Sequence, residues 1–232
     1  MRFTLYQDFL SLVFPRTCCV CKRSLFEFEH QLCKICISKL PITNYHLSPL
    51  NNDLKTKILG LTRVNQAHSF LRFTKKGISQ RILHQLKYRN KPDLGNEIGK
   101  LFGLTLLESG YLRYWDAVVP VPLHPIKLKK RGYNQSERFA QGLCEVLLSP
   151  LNTQLDRVKY TETQTNKSRL QRWENVEKVF SLKNNEGIKN QKVLLVDDVM
   201  TTGATLAACS NTLLNAGAQC VDVAVIAAGK TS

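Results

Sequence analysis

Between Val193 and Leu206 the chain reads Val-Leu-Leu-Val-Asp-Asp-Val-Met-Thr-Thr-Gly-Ala-Thr-Leu, and few folds accept such a run. The aliphatic stretch has the character of a strand buried on both faces, as in the interior of a parallel sheet. Its carboxyl end, where ligands bind in such sheets, carries two adjacent acids, Asp197 and Asp198. A turn rich in hydroxyls and glycine follows and opens a helix. Backbone N–H groups and the positive helix end make that turn a phosphate cradle, and Gly203 permits close approach. Thr201, Thr202 and Thr205 add hydroxyl donors beside Ala204, and the two acids stand as acceptors where ribose hydroxyls would lie. A Walker-type loop is excluded, because no Gly-Lys-Ser/Thr follows a GxxxxG here. A helix cap with an acidic first turn would explain one Asp and one Thr, not paired acids and a TTGAT run.

The flanking sequence continues the same pattern. Ala67–Phe73 alternates like a strand, Gly77 precedes an amphipathic stretch through Tyr88, and Pro92–Leu107 has helical periodicity after a proline start. Ala117–Pro122 reads as a buried strand with a proline-punctuated turn. Ser136–Leu148 reads as a helix with Ser136 as its N-cap. Lys192–Val196 is a second buried strand, Thr205–Asn215 a helix ended by Gly217, and Val221–Ala227 a third strand. Strand, loop and helix repeated this way predict an α/β domain with a parallel sheet. The 232 residues suffice for one such domain and a small appendage.

The appendage is legible in the cysteines. Cys18/Cys21 and Cys33/Cys36 form two CxxC pairs with eleven residues between them. Each tight turn presents two sulfurs to one point, as structural Zn²⁺ requires. Cys19 lies inside the first knuckle and competes with Cys18, though the spacing favours Cys18. Cys144, Cys209 and Cys220 read as small core residues. Residues 1–16 are expected to form an amphipathic helix closed by Pro15. A polar stretch with Pro41, Pro49 and Asn51-Asn52 then suggests a division into residues 1–52, the zinc module and linker, and residues 53–232, the α/β domain. No apolar run approaches the ~20 residues of a membrane-spanning helix, and Phe9–Phe14 after Asp8 makes a poor signal peptide. A cytoplasmic protein is expected.

The net charge is +15, and between Lys55 and Lys91 there are ten Lys or Arg and no Asp or Glu. Such a one-sign window repels itself unless an anion visits it, and nucleic acid is the leading ligand. Lys75, Lys76, Lys87 and Arg89 are the candidate contacts, with Tyr88, Phe70 and Phe73 as candidate stacking groups.

The Val193–Leu206 segment resembles the signature by which type I phosphoribosyltransferases bind 5-phosphoribosyl-1-pyrophosphate (PRPP). Further marks are Val119–Pro125 running into Lys127–Ser136, Thr163-Gln164-Thr165, Ser168-Arg169, Arg172, Asn175-Val176 and Leu86-Lys87-Tyr88. Together with the double CxxC they resemble the ComF/GntX family of competence-associated proteins, over nearly the whole chain. Asn166-Lys167 departs from the glycine-containing pair usual before Ser168-Arg169. The resemblance implies a type I phosphoribosyltransferase-like parallel sheet with helices on both faces, plus an amino-terminal zinc ribbon. It implies that Thr201–Thr205 grips the 5-phosphate and that Asp197 and Asp198 hold ribose hydroxyls. Lys129, Lys130 and Arg131 would lie in the pyrophosphate loop, and Gln164, Arg169 and Arg172 in a mobile hood, with Mg²⁺ accompanying PRPP. It also implies a role in DNA uptake and natural transformation through single-stranded DNA, with a DNA-uptake helicase and recombination proteins as partners. The alternative is an active phosphoribosyltransferase serving an unidentified nucleophile. Phosphoribosyl transfer needs positioning and charge more than a visible base, so no catalytic residue is assigned.

Overall fold

The structure, a computed structural model, describes residues 15–157 and 179–229. The expected helix over 1–16 therefore lies almost wholly outside the described residues.

Four strands form one parallel sheet: β1 (Ala67–Arg72), β2 (Ala117–Pro120), β5 (Lys192–Met200) and β6 (Cys220–Ala228), in the order β1-β6-β5-β2. Two short strands, β3 (Leu155–Arg157) and β4 (Phe180–Leu182), pair antiparallel beside it. The helices are α1 (Lys34–Ser38), α2 (Asp53–Leu59), α3 (Ile78–Tyr88), α4 (Pro92–Glu108), α5 (Pro125–Arg131), α6 (Gln135–Leu147) and α7 (Ala204–Asn215).

Helices cover both faces of the sheet because the central strands are apolar on both. Val193 and Leu195 pack with Leu54 and Ile58 of α2 and with Leu206, Cys209 and Leu213 of α7. Leu194 and Val196 pack with Ile82 and Leu86 of α3, Ile98 and Phe102 of α4, and Phe139 and Leu143 of α6. One element begins differently from its expectation. The N-cap of α6 is Asn134, whose side chain accepts from the Ser136 N–H, and this frees the Ser136 hydroxyl for another partner.

Helices α4 and α6 approach through glycine. A Cβ at Gly99 would meet the Phe139 carbonyl oxygen at 2.2 Å, and one at Gly142 the Asn96 oxygen at 2.1 Å. Gly95 and Gly103 extend the seam by one turn each way.

The stretch expected to be a linker lies along the free edge of β1. Thr43 donates its N–H to the Phe70 carbonyl, Arg72 donates to Pro41 and Ala67 to Pro49. The Asn52 side chain donates to the Ala67 carbonyl at 2.9 Å. The cysteine module is packed down as well: Gln31 donates its N–H to Glu97 of α4 at 2.6 Å. Val20, Leu32 and the buried cysteines share one apolar cluster with Phe70 and Phe102.

Candidate functional site

Asp197 and Asp198 lie near the carboxyl end of β5, just ahead of the turn that begins at Thr201. At this point the strand's alternation slips by one residue. Beyond the acids, Val199 joins the cluster of α3, α4 and α6, and Met200 that of α2 and α7, the reverse of the upstream phase. The slip accompanies an arrangement in which both neighbouring carboxylates find partners from one face. Ser136, at the start of α6, donates its hydroxyl to Asp197 Oδ1 at 2.9 Å, and Lys87, near the end of α3, pairs with Asp198 Oδ1 at 3.0 Å. Asp197 Oδ1 also accepts the Asp198 N–H at 2.8 Å. Desolvation, and next the Asp198 charge, push the Asp197 carboxyl up to about 7, against the pull of these donors and of Lys87.

After Met200 the chain turns through exposed Thr201 and Thr202 into α7. Gly203 is the N-cap with φ +82°, in the left-handed region that a side chain strains to enter. It contributes no capping side chain, and only a long contact from the Ala204 N–H to Thr202 Oγ1 at 3.5 Å occupies the helix entrance. The first-turn N–H groups have no intrahelical acceptor, and exposed Thr201 and Thr202 lie in the turn that leads to them. Such an arrangement can take an anion beside two hydroxyl-accepting carboxylates.

The basic segments meet at this edge. Lys129 and Lys130 are exposed in the last turn of α5, and Arg131 donates to Gln135 Oε1 at 2.9 Å. The Arg131 guanidinium stands 5.8 Å from the centre of the Tyr88 ring. Tyr133 Oη donates to the Leu86 carbonyl, and Gln135 Nε2 does so at 3.4 Å, fastening the end of α3 to the loop before α6. His124 has a structural task, accepting the Ile126 N–H at 3.2 Å as N-cap of α5. Gln164, Arg169 and Arg172 lie outside the described residues; β3 and β4 pair Arg157 with Phe180 at the two ends of that stretch.

The basic window of residues 55–91 is not one solvated face. Lys55 is buried, donating to the Val64 carbonyl and to the Asn65 carbonyl at 2.6 Å. Lys87 is only 23% exposed and belongs to the acidic pair. Arg63, Lys75, Lys76, Arg81, Arg89 and Lys91 are exposed. Of the aromatics, Phe70 is buried and stacked on Phe102 and Phe73 packs against the core, whereas Tyr88 is 67% exposed. Sequence reasoning misses the roles of Ser136 and Lys87 at the acids. Leu86-Lys87-Tyr88 stands out there only as a family mark, and nothing local pairs Ser136 with Asp197.

The four cysteines of the two CxxC pairs come together. The Sγ atoms of Cys18, Cys21, Cys33 and Cys36 all lie within 4.8 Å of one another, a set that can hold a metal ion. Zinc with Zn–S bonds of about 2.3 Å asks for sulfurs slightly closer than ~4 Å, and Cys21 and Cys33 are 3.6 Å apart. Cys19 is outside the cluster and donates to Gln31 Oε1 at 3.4 Å, so the first ligand position falls to Cys18. Burial alone would raise the Cys18 thiol, but the backbone N–H groups of Cys21, Cys33 and Val20 bring it down to about 7.

A family model, the phosphoribosyl transferase domain, matches residues 129–232, from the basic turn of α5 to the carboxyl end. Competence protein F of Haemophilus influenzae is 34% identical over 148 residues, 61% of this chain and 64% of that protein. The DNA utilization protein YhgH of Escherichia coli K12 is 31% identical over 146 residues, 61% and 63% respectively. Competence protein ComFC of Bacillus subtilis is 28% identical over 206 residues, and there the match spans 83% of this chain and 82% of the relative. The chain is thus similar to competence proteins of the ComF family and carries a match to the phosphoribosyl transferase domain. Its matches to the first two relatives span less than two thirds of their lengths. A match to the phosphoribosyl transferase domain and a four-cysteine cluster are thus both present in one chain. Among the described residues no helix is long and apolar enough to cross a membrane.

Proposed function

We propose that this ComF-family chain binds PRPP at Asp197–Thr205 and acts in DNA uptake by handling single-stranded DNA in the cytoplasm. The observation that carries the reading is the acidic pair at the end of β5 beside an open helix entrance capped by Gly203. In this reading Asp197 and Asp198 accept the ribose hydroxyls, and Thr201–Thr205 hold the 5-phosphate. Lys129, Lys130 and Arg131, with Gln164, Arg169 and Arg172, meet the pyrophosphate end, whose charge Mg²⁺ offsets. Exposed Lys75, Lys76 and Arg89, together with Lys87, meet DNA phosphates. Zinc on the four cysteines holds the amino-terminal module. The role in uptake draws on the names of the competence relatives, and an uptake helicase and recombination proteins are the expected partners.

Calorimetry with PRPP and Mg²⁺ tests the site. Replacing both acids, D197N with D198N, removes two charged acceptors and should weaken PRPP binding about a hundredfold. Undiminished affinity would place the site elsewhere.

The intact acid pair also favours a second reading, phosphoribosyl transfer. There the bond from ribose C1 to pyrophosphate breaks, a bond from C1 to an unidentified base or other nucleophile forms as that acceptor gives its proton to solvent, and pyrophosphate leaves. Pyrophosphate release from PRPP in the presence of a panel of nucleobases distinguishes turnover from binding alone.

A further inference from the structure

We infer that Lys87 and Tyr88 form one nucleotide-binding step at the mouth of the acidic site, and that single-stranded DNA on this step and PRPP in the site weaken each other's binding. The inference rests on the PRPP and single-strand readings above.

Tyr88 ends α3 with 67% of its surface exposed, although it is the residue next to a largely buried ion pair. Its ring does little for the core. It is nevertheless set in place, with His84 at 5.1 Å on its own helix and the Arg131 guanidinium at 5.8 Å. Tyr133 and Gln135 anchor the preceding Leu86 carbonyl, so the helix end that carries the ring is fastened. An exposed aromatic face flanked by a guanidinium is a platform for a nucleobase, which stacks without regard to base identity. The phosphates on either side of a stacked base would then meet Arg89, Arg131 and Lys87.

Lys87 makes the two ligands interfere. Its ammonium is the cation paired with Asp198, and the next residue is the stacking ring. A strand phosphate that draws Lys87 away leaves Asp198 unpaired beside Asp197 and so turns the site more negative toward anionic PRPP. PRPP and its phosphates, drawing Lys87 inward, withdraw a cation from the strand. By linkage each ligand must weaken the other by the same factor, which we expect to be about tenfold.

The test uses the full chain, a short fluorescent oligothymidylate, and PRPP with Mg²⁺ at fixed ionic strength. Oligonucleotide affinity from anisotropy should fall about tenfold at saturating PRPP, and PRPP affinity from calorimetry should fall equally at saturating oligonucleotide. Sodium sulfate at the same ionic strength in place of PRPP should have no such effect. The variant Y88A should weaken the oligonucleotide about tenfold and leave PRPP affinity unchanged, whereas K87Q should weaken both and abolish their antagonism. If both ligands bind and neither alters the other's affinity, the inference is overturned while the proposed function stands. If Y88A holds the strand like the parent, the step is not where the base stacks. Failure of PRPP to bind the free protein would instead sink the proposed function itself.

Discussion

The Asp197 carboxyl is pushed up to about 7 by desolvation and by Asp198, so between about pH 4 and 7 the folded chain holds a proton that the unfolded chain has released. Stability from this group is therefore fully present at acid pH and is lost as the pH rises through about 7. The substitution D197N keeps an oxygen for the Ser136 hydroxyl and removes the titration. It should leave melting at pH 4 nearly unchanged and raise stability at pH 8 by a few kcal/mol, while weakening PRPP binding. Thermal melts across this range check it; a variant as pH-sensitive as the parent would show that Asp197 is not strained. At Gly203 the strain lies in the backbone. With φ +82°, G203V should cost at least ~1 kcal/mol and distort the turn into α7, even though the nearest atom to a Cβ is Met200 Cε at an ordinary 3.4 Å.

The helix pair α4 and α6 packs backbone to backbone, and its tolerance can be read from the geometry. At Gly99 an added methyl meets the Phe139 carbonyl oxygen at 2.2 Å, a backbone atom of a buried helix that cannot swing aside. G99A should therefore lower stability by about 2–4 kcal/mol, despite the better helix propensity of alanine. The contrasting position is Gly60, which has φ −75° and nothing within 4 Å of its Cβ. G60A should be neutral or stabilise by about 0.5 kcal/mol. Denaturant melts of the two variants would separate close packing from propensity, and equal effects would refute the seam. Helix α5 sits at the other extreme. None of its residues is buried, and its start is set by His124 and Pro125 and its stop by Gly132 at φ +78°.

Across the whole molecule the cysteine module and the sheet domain share one apolar cluster, with Leu32 and Cys18 as buried as Phe102. The division at residue 52 remains a proposal about folding units, and the packing argues that metal and sheet melt together. C33S should release the bound zinc and lower the melting temperature of the entire chain in a single transition. Two separate transitions would show that residues 1–52 fold on their own account. The surface charge has its own signature. If Lys75, Lys76 and Arg89 meet phosphates, changing all three to Ala should flatten the dependence of log affinity on log salt by about 0.7 for each phosphate left without its cation. It should also spare PRPP, because none of the three touches the acids. Lys87 is kept out of that variant, since its partner Asp198 would be left unpaired.

The parallel sheet, its four strands with the helices after them, the acidic pair with the turn that follows it and the four-cysteine set are legible in the amino-acid sequence. These features are written in local terms: aliphatic runs, caps, turn residues and CxxC spacing act over a few neighbouring residues. Which distant side chains complete the site is a matter of the folded chain alone. Ser136 reads as a cap until Asn134 takes that task, and Lys87 reads as surface charge until the crossover brings α3 beside the end of β5. The spacing already favours Cys18 over Cys19, and the fold adds what the spacing cannot, a partner for Cys19 in Gln31. The glycines of α4 mark a close approach only once α6 supplies the facing carbonyl. Periodicity states which face of an element is apolar, but the partner that meets a polar group depends on how the elements cross, and that is settled by packing the whole core.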